Sequence, residues 1–266
     1  MTATWDADTY GANLDHHRVY DDALLGSLRL RGDERVLDLG CGVGDVARRL
    51  AAAVPHGAVT AVDADPDMVR AAAAQDLPNL TVDRVRAQDV GDRFDAGSFD
   101  VVVSVAVLHW VPAADQPGVA AGIRRVLRDG GRLRADFGGE GQIAAARALL
   151  DEVAVRHGGS PAPWYFPSAA AHRALLDAAG LDTTEPGWIR RVEQRRPFDE
   201  AGVRGWLASQ VSIAYLPTVP ATAHAAFLAD VEAVVLPGLR RADGTHDQDY
   251  VRIDLLATAG NPVSDG

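Results

Sequence analysis

Residues 36–45 read VLDLGCGVGD, an apolar run that ends in a glycine-rich loop. Gly40, Gly42 and Gly44 give the spacing G-x-G-x-G, whereas a dinucleotide fingerprint has its third glycine one position later, where this chain has an aspartate. Asp38 is predicted at the carboxyl end of the strand, where ligands of open parallel sheets bind, and there its negative charge opposes a pyrophosphate. The stretch therefore predicts a site at a strand end whose ligand is cationic.

Apolar strand-like runs alternate with helical stretches around this loop, a pattern typical of a parallel sheet covered on both faces. The predicted strands are residues 34–40, 58–65, 80–87, 99–107 and 131–139, and the predicted helices are residues 45–54, 66–75 and 116–127. Asp65 is a predicted cap of the second helix, with Pro66 in its first turn, and residues 129–131 predict the turn before the fifth strand.

The pattern changes after residue 140. Predicted helices cover residues 143–157, 168–179, 198–210 and 219–236, and predicted strands cover residues 181–192 and 249–259. We therefore predict an α/β fold, with a Rossmann-like, mostly parallel sheet of seven strands, helices on both faces and a helical cap. The predicted division is an N-terminal helical cover (1–30), a Rossmann-like ligand-binding core (31–139), and a C-terminal part (140–266) that completes the sheet and carries the cap.

Two further acids follow the next two predicted strands. Asp63 lies 23 positions after Gly40, near the spacing of about 20 residues at which a carboxylate binds ribose hydroxyls in this kind of fold. Asp89 follows the third strand, and its carboxylate is suited to accept a hydrogen bond from an exocyclic adenine amine. Together with Asp38, these acids describe a ligand with an ammonium or sulfonium end, a ribose and an adenine, which are the parts of S-adenosylmethionine.

The order of these segments resembles the class I S-adenosylmethionine-dependent methyltransferases, from VLDLGCGVGD through VTAVDADPDM, RAQDV and FDVVVSVAVLHWV to LRDGGRLRADF. The resemblance implies an enzyme that uses S-adenosylmethionine as its cofactor and has no metal ligands. It also implies cofactor contacts along successive strand ends and from the N-terminal segment. The implied cofactor-binding residues are Tyr10, Asp38, Gly40, Gly42, Gly44, Asp63, Ala64, Met68, Gln88, Asp89, Val90 and Val105.

Within that superfamily, the aromatic loop and the last strand most resemble trans-aconitate methyltransferase-like small-molecule methyltransferases. Those relatives often have a glutamine where this chain has His109, and the change favours a less charged acceptor whose proton a histidine handles. His109 is therefore the predicted catalytic residue, either as a general base or as a group that orients the acceptor through a hydrogen bond. The predicted acceptor-binding residues are Trp5, His109, Trp110, Trp164 and Tyr165.

The predicted reaction is methylation of a small molecule at the oxygen of a carboxylate or a hydroxyl. Methylation of carbon or nitrogen in a natural-product intermediate is an alternative, and so is a protein that binds S-adenosylmethionine without catalysis. A nicotinamide-dependent oxidoreductase is a third interpretation, which Asp38 and Asp45 disfavour.

The composition limits the partners. The chain has 266 residues and a formal net charge of −11, and all 26 basic residues are arginine. An acidic surface repels phosphate backbones, so we expect no nucleic acid partner, and the arginines of segment 190–196 are expected on a solvated strand face. Cys41, the single cysteine, excludes an intrachain disulfide, and no apolar run reaches the roughly 20 residues that cross a bilayer. We therefore expect a cytoplasmic monomer or homodimer without membrane contact, with His16 and His17 on the surface of a helix.

Overall fold

The computed structural model of the chain describes residues 5–11 and 23–260, and its central element is an eight-stranded sheet. The predictions for His16, His17 and the tail beyond residue 260 lie outside the described residues. The first five strands pair with one another in parallel, and the last strand pairs antiparallel with its neighbours. This arrangement confirms the predicted α/β fold with a mostly parallel sheet.

The strand order brings the early strand ends together. The strands are β1 (Arg35–Leu39), β2 (Ala58–Asp63), β3 (Leu80–Arg84), β4 (Phe99–Val105), β5 (Leu127–Gly138), β6 (Leu181–Asp182), β7 (Trp188–Phe198) and β8 (His246–Ala259). Their order is β3-β2-β1-β4-β5-β8-β6, and β7 also pairs with β8. The order reverses between β1 and β4, and the crevice outside such a reversal is where open α/β sheets bind ligands.

The prediction of one strand over residues 181–192 is wrong, because the structure has two strands there. Both β6 and β7 pair antiparallel with β8, whose other edge is taken by β5, so they occupy one sheet position in two pieces. Residues 183–187 separate the two pieces, and Pro186 within them has no N–H for the ladder. The sheet therefore has eight strands in seven positions.

Helices cover both faces of the sheet and form a cap beyond β5. The helices are α1 (Ala7–Gly11), α2 (residues 23–27), α3 (Asp45–Ala53), α4 (Pro66–Ala73), α5 (Val90–Arg93), α6 (Gln116–Val126), α7 (Ala144–Arg156), α8 (Ala169–Ala178), α9 (Glu200–Trp206), α10 (Ser212–Tyr215), α11 (His224–Asp230) and α12 (Leu236–Gly238). Wider π-type turns, Leu207–Val211 and Val231–Val235, join α9 to α10 and α11 to α12. In the described part of the chain, no helix has the length and apolarity needed to span a membrane.

The predicted turn at residues 129–131 lies inside β5 instead of before it. Leu127 already pairs with Phe99, but the next pair joins Arg132 to Val101, so the β5 chain bulges between them. Gly130 in this bulge has a φ of 71°, which a glycine adopts without steric cost.

Three apolar clusters hold these layers together. In β4, Val101 and Val103 pack into one cluster and Val102 into another, because successive side chains point to opposite faces of a sheet covered on both sides. A third cluster lies in the cap and centres on large buried side chains such as Tyr215 and Phe227. The cap therefore has an apolar core of its own above the carboxyl ends of the strands.

Candidate active site

A cavity of about 630 Å³ lies at the carboxyl ends of β1, β2, β3 and β4, under the cap. Its size is within the range of small-molecule sites. Many of the predicted site residues line it together. They are Tyr10, Gly40, Gly42, Asp63, Ala64, Met68, Gln88 and Val105 from the predicted cofactor site and Trp5, His109, Trp110 and Trp164 from the predicted acceptor site.

The glycine loop after β1 lies against its neighbours more closely than side chains allow. Gly40 has a φ of 80°, and a Cβ there would come within 2.1 Å of the Val107 side chain. Gly44 has a φ of 90°, and a Cβ there would lie 3.0 Å from the Ala72 Cα of α4. Gly44 does not line the cavity. Its part is therefore to let the loop pack on α4, while Gly40 and Gly42 leave the cavity wall without side chains.

Asp63 ends β2 and ties this loop to the start of α4. Its Oδ2 accepts a hydrogen bond from the Gly42 N–H at 3.0 Å, and its Oδ1 accepts one from the Asp65 N–H at 2.9 Å. Burial raises the pKa of this carboxyl, although the backbone hydrogen bonds oppose the shift. Each oxygen keeps a further lone pair for a ligand hydroxyl.

The loop, Asp63 and the apolar strand ends fit a nucleoside with a cationic tail. The bare glycine backbone leaves room that a Cβ would take, and the carboxylate presents acceptors to a pair of ribose hydroxyls. Ala64, Met68 and Gln88 line the adjoining wall, which suits a flat base.

Three other predicted cofactor residues do not line the cavity. Asp38 is 1% exposed within β1, and Val90 is fully buried in the core at the start of α5. Asp89 accepts hydrogen bonds from Arg86 Nε at 2.6 Å and Nη2 at 2.8 Å, and this ion pair lowers the pKa of the Asp89 carboxyl. The structure thus directs the Asp89 carboxylate to a surface arginine rather than to the cavity.

The aromatic loop places Tyr165 away from the cavity as well. Residues 159–168 form an irregular loop, in which Trp164 and Phe166 line the cavity while Tyr165 does not. The Tyr165 hydroxyl lies 3.3 Å from His172 Nδ1, and its ring packs against the sheet core. Phe166 thus lines the cavity where we predicted Tyr165, and no local pattern distinguished the two residues.

His109 is held as a neutral imidazole with a known proton position. The Gly138 N–H donates a hydrogen bond to His109 Nδ1 at 3.2 Å, so Nδ1 is the unprotonated nitrogen and Nε2 carries the proton. Burial and the charge of Arg252 hold the pKa of His109 well below its ordinary value. Among the described residues, Nε2 has no partner. This ring therefore offers the cavity a hydrogen-bond donor and not a proton acceptor.

Arg252 is a site residue that our sequence reasoning missed. It lines the cavity from β8 and is 3% exposed, and its Nε donates to Asp136 Oδ1 at 2.7 Å while Nη2 also bonds Asp136. In the register of β5 and β8, Gly138 faces Arg252, so Asp136 is its diagonal neighbour. An arginine inside the largely apolar strand YVRIDLLATA was the signal for it.

Gln142 was missed too, and no local pattern marks it. Its Oε1 accepts a hydrogen bond from the Val251 N–H at 2.7 Å. This bond fixes the amide orientation, so that the amide nitrogen Nε2 is the atom that Val251 does not engage. The residue is 6% exposed and lines the cavity.

The N-terminal residues form one wall of the cavity. The Trp5 N–H donates to Asp65 Oδ2 at 3.2 Å, and the Trp5 ring lies edge-on to Tyr10 at 5.2 Å and to Trp110 at 5.0 Å. Asp65 also caps α4, because its Oδ1 accepts from the Asp67 N–H at 2.8 Å, which confirms the predicted cap.

Comparison with known sequences places these features in a family context. Residues 36–131 match the family described as methyltransferase domain. The chain is 30% identical over 274 aligned positions to the trans-aconitate 2-methyltransferase of Mycolicibacterium gilvum, covering 97% of this chain and 100% of that one. It is 29% identical over 241 positions to the trans-aconitate 2-methyltransferase of Deinococcus radiodurans, covering 85% of this chain and 87% of the relative.

Solved structures share the fold. The YcgJ protein of Bacillus subtilis superposes with a TM-score of 0.63 at 17% identity, over 92% of this chain and 100% of that chain. Phosphoethanolamine N-methyltransferase 2 of Haemonchus contortus, solved in complex with S-adenosyl-L-methionine, gives a TM-score of 0.60 at 17% identity, over 96% of this chain and 57% of that chain.

Proposed function

The chain belongs to the class I S-adenosylmethionine-dependent methyltransferases, and from this membership we propose that it methylates a carboxylate oxygen of a small molecule. The protein is an enzyme with S-adenosylmethionine as its cofactor. The acceptor and the methylated atom are our proposal. One observation carries it: the titratable group at the acceptor side, His109, is a neutral donor whose Nδ1 is already engaged.

A carboxylate is the acceptor that this arrangement serves best. When bound, S-adenosylmethionine supplies an electrophilic methyl: a carboxylate oxygen forms the bond to that carbon while the carbon–sulfur bond breaks with its electron pair left on sulfur, and no proton is released. A hydroxyl acceptor would instead need a base at the same place. His109 Nε2–H, which donates, can orient a carboxylate by its second oxygen.

The residues proposed to hold the cofactor are those that line the cavity along β1, β2 and β3. Gly40 and Gly42 would border the methionine part, Asp63 would accept from the ribose hydroxyls, and Met68 and Gln88 would flank the adenine. The cap and the Trp5 wall cover the site, and exclusion of water supports transfer between a cation and an anion.

The donor groups on the acceptor side support the same choice. His109 Nε2–H and the Gln142 amide nitrogen belong to side chains that line the cavity wall, and neither has an acceptor in the described part of the chain. A buried donor without a partner costs free energy, and a carboxylate can satisfy several donors at once. The relatives named for trans-aconitate make a carboxylic acid a consistent acceptor class.

The test is a panel of carboxylic acids, each paired with the alcohol and the amine of the same skeleton. S-adenosylhomocysteine release and the mass of the product are measured for each, with trans-aconitate included. We expect a methyl ester from at least one of the acids and no product from the matched alcohols or amines. Methylation of the alcohols or amines with no ester formed would overturn the proposal.

A cytoplasmic enzyme without a nucleic acid partner, acting as a monomer or homodimer, belongs to the same proposal. The net charge of −11 supports the second part of it. Two arginines of β7 support it as well, since Arg190 pairs with Asp254 and Arg191 pairs with Glu193.

A further inference from the structure

The acceptor half of the cavity is mostly apolar. This half is built from the residues after β4, the aromatic loop, the cap helices and β8. Its apolar walls include Trp110, Ile143, Trp164, Phe166, Trp206 and Val211. Trp164 and Phe166 lie stacked, with ring centroids 5.5 Å apart and planes inclined by 30°. Such walls suit the apolar body of a ligand.

The charge in this half is limited to one side chain. Among the described residues that line the cavity, the charged ones are Asp63, Asp65, Arg84, Arg86 and Arg252, and the first four belong to the ends of β2 and β3. Within the described ranges, Arg252 is therefore the one cation that lines the acceptor end. Its charge is already paired with Asp136, so this part of the wall is close to neutral.

The charges around the acceptor half determine how many carboxylates of an acceptor it can accommodate. The Arg252–Asp136 pair sums to zero, and the sulfonium of the cofactor adds one positive charge. One acceptor carboxylate then balances the charges of the acceptor half. A second or third carboxylate would lie against aromatic walls without a counter-charge, which is costly in a buried site.

Arg252 also has a donor to spare. Its Nε and Nη2 bond Asp136, and Nη1 has no acceptor within residues 5–11 and 23–260. Gly138 pairs with Arg252 across β5 and β8, and the Gly138 N–H donates to His109 Nδ1. The two side chains therefore lie on either side of one residue and can receive one carboxylate together.

Resting on the proposed function, we propose that the acceptor is a monocarboxylate with an apolar body and that Arg252 selects for a single carboxylate. Arg252 Nη1 and His109 Nε2–H bind the carboxylate oxygens, and Asp136 holds the guanidinium in place. The body lies along Trp164, Phe166 and Trp206. A polyanionic acid is expected to bind poorly, because its additional carboxylates would have no positive partner in this half of the cavity.

The test compares acceptors that differ only at the far end. Cinnamate and octanoate are each used in three forms: unsubstituted, with a distal carboxylate, and with a distal amide of the same size. Citrate serves as the tricarboxylate. We measure kcat/KM for methylation and, by calorimetry, the Kd of each acceptor with S-adenosylhomocysteine bound.

We expect the distal carboxylate to lower kcat/KM by about 100-fold or more and the distal amide to lower it by about tenfold or less. A preference for the dicarboxylates or for citrate would overturn the inference and leave the proposed function standing. If no acid is methylated while alcohols or amines are, the proposed function itself fails and the inference fails with it.

Two variants test whether Arg252 selects for acceptors with a single carboxylate. Arg252→Gln is expected to raise the KM for cinnamate at least about tenfold with a smaller change in kcat. Because this variant leaves the partly buried Asp136 without its partner and can misfold, Asp136→Asn is the second test, since its amide oxygen still accepts from Arg252.

Asp136→Asn adds one net positive charge, and we expect it to improve the use of the dicarboxylate relative to the monocarboxylate by about tenfold. An unchanged ratio would remove Arg252 from the selection. Arg191→Gln, at an exposed arginine of β7 paired with Glu193, is the matched control and should leave both ratios as they are.

Discussion

The Asp63 carboxylate connects the glycine loop, the start of α4 and the proposed ribose site. We expect Asp63→Ala to weaken binding of S-adenosylmethionine at least tenfold, which is about 1.4 kcal/mol, because ribose hydroxyls lose a charged acceptor. The Gly42 N–H loses its acceptor as well. Titration calorimetry measures the affinity, and an unchanged Kd would count against the ribose assignment.

Asp89 provides the matched control for that experiment. Its carboxylate is 45% exposed, binds Arg86 and does not itself line the cavity. We therefore expect Asp89→Ala to change cofactor affinity by less than about threefold, since an exposed ion pair contributes little. A loss as large as that of Asp63→Ala would restore the sequence prediction that Asp89 binds the adenine amine.

We expect the pH profile of kcat/KM to show no inflection from the titration of His109. Its pKa is held well below the ordinary value, so the ring is neutral throughout the range from about pH 6 to 8. We expect kcat/KM with a carboxylate acceptor to be flat across that range. An inflection near pH 6.5 that disappears in His109→Gln would make His109 a base.

Substitution separates the two roles of His109 in a second way. We expect His109→Ala to lower turnover about tenfold with little change in cofactor affinity, because it removes a donor from the acceptor side only. His109→Gln, which keeps a nitrogen donor, should recover part of that loss. Equal losses in both variants, or none in either, would mean that the side chain is structural.

The first turn of α4 is held by one side chain that also reaches the N-terminal segment. Asp65 Oδ1 accepts from the Asp67 N–H, and Oδ2 accepts from the Trp5 N–H. We expect Asp65→Ala to lower the free energy of unfolding by about 1 kcal/mol through the lost cap. Urea unfolding measures this change.

Asp65→Ser distinguishes the helix cap of Asp65 from its hydrogen bond to the Trp5 N–H. Serine caps helices well but has one oxygen, so this variant should keep most of the stability and lose the bond to Trp5. If Asp65→Ser destabilises the protein as much as Asp65→Ala, the cap is not the stabilising contact.

The central strands of the sheet could be predicted from the sequence, whereas the details of the strands towards the β8 side could not. β1 and β4 are apolar runs buried on both faces, so their sequence alone identifies them. The split into β6 and β7 depends on pairing with β8, a strand far along the chain. The bulge in β5 depends in the same way on its register with β4. Long-range pairing therefore decided the details that local pattern missed.

The two halves of the cavity differ in how they are assembled. The cofactor half comes from consecutive strand ends, so the lining residues Gly40, Gly42 and Asp63 were predictable from spacing. The acceptor half combines His109, Gln142, Phe166, Trp206 and Arg252, which only the packed cap and β8 bring together. Each has an ordinary local role as a core or strand residue. Tertiary packing brings these residues into the site, so no short stretch of sequence predicts that they lie together.

Buried histidines should make the whole molecule sensitive to mild acid. Burial lowers the pKa of His172 to about 4, and the ring packs against Phe137 at 4.8 Å. The unfolded chain takes up a proton near pH 6.5 and the folded chain only near pH 4, so the free energy of unfolding falls as pH drops through this window and is unaffected above it. Between pH 7 and pH 5, His172 alone accounts for about 2 kcal/mol.

We therefore expect His172→Phe, which cannot be protonated, to reduce the difference between the urea unfolding free energies at pH 7 and pH 5 by about 2 kcal/mol. His56→Gln, at an exposed position, controls for the loss of a histidine. The depressed pKa of His109 acts in the same direction and should leave a residual acid sensitivity in His172→Phe. A difference between the two pH values as large in His172→Phe as in the parent protein would show that His172 is protonated in the folded state.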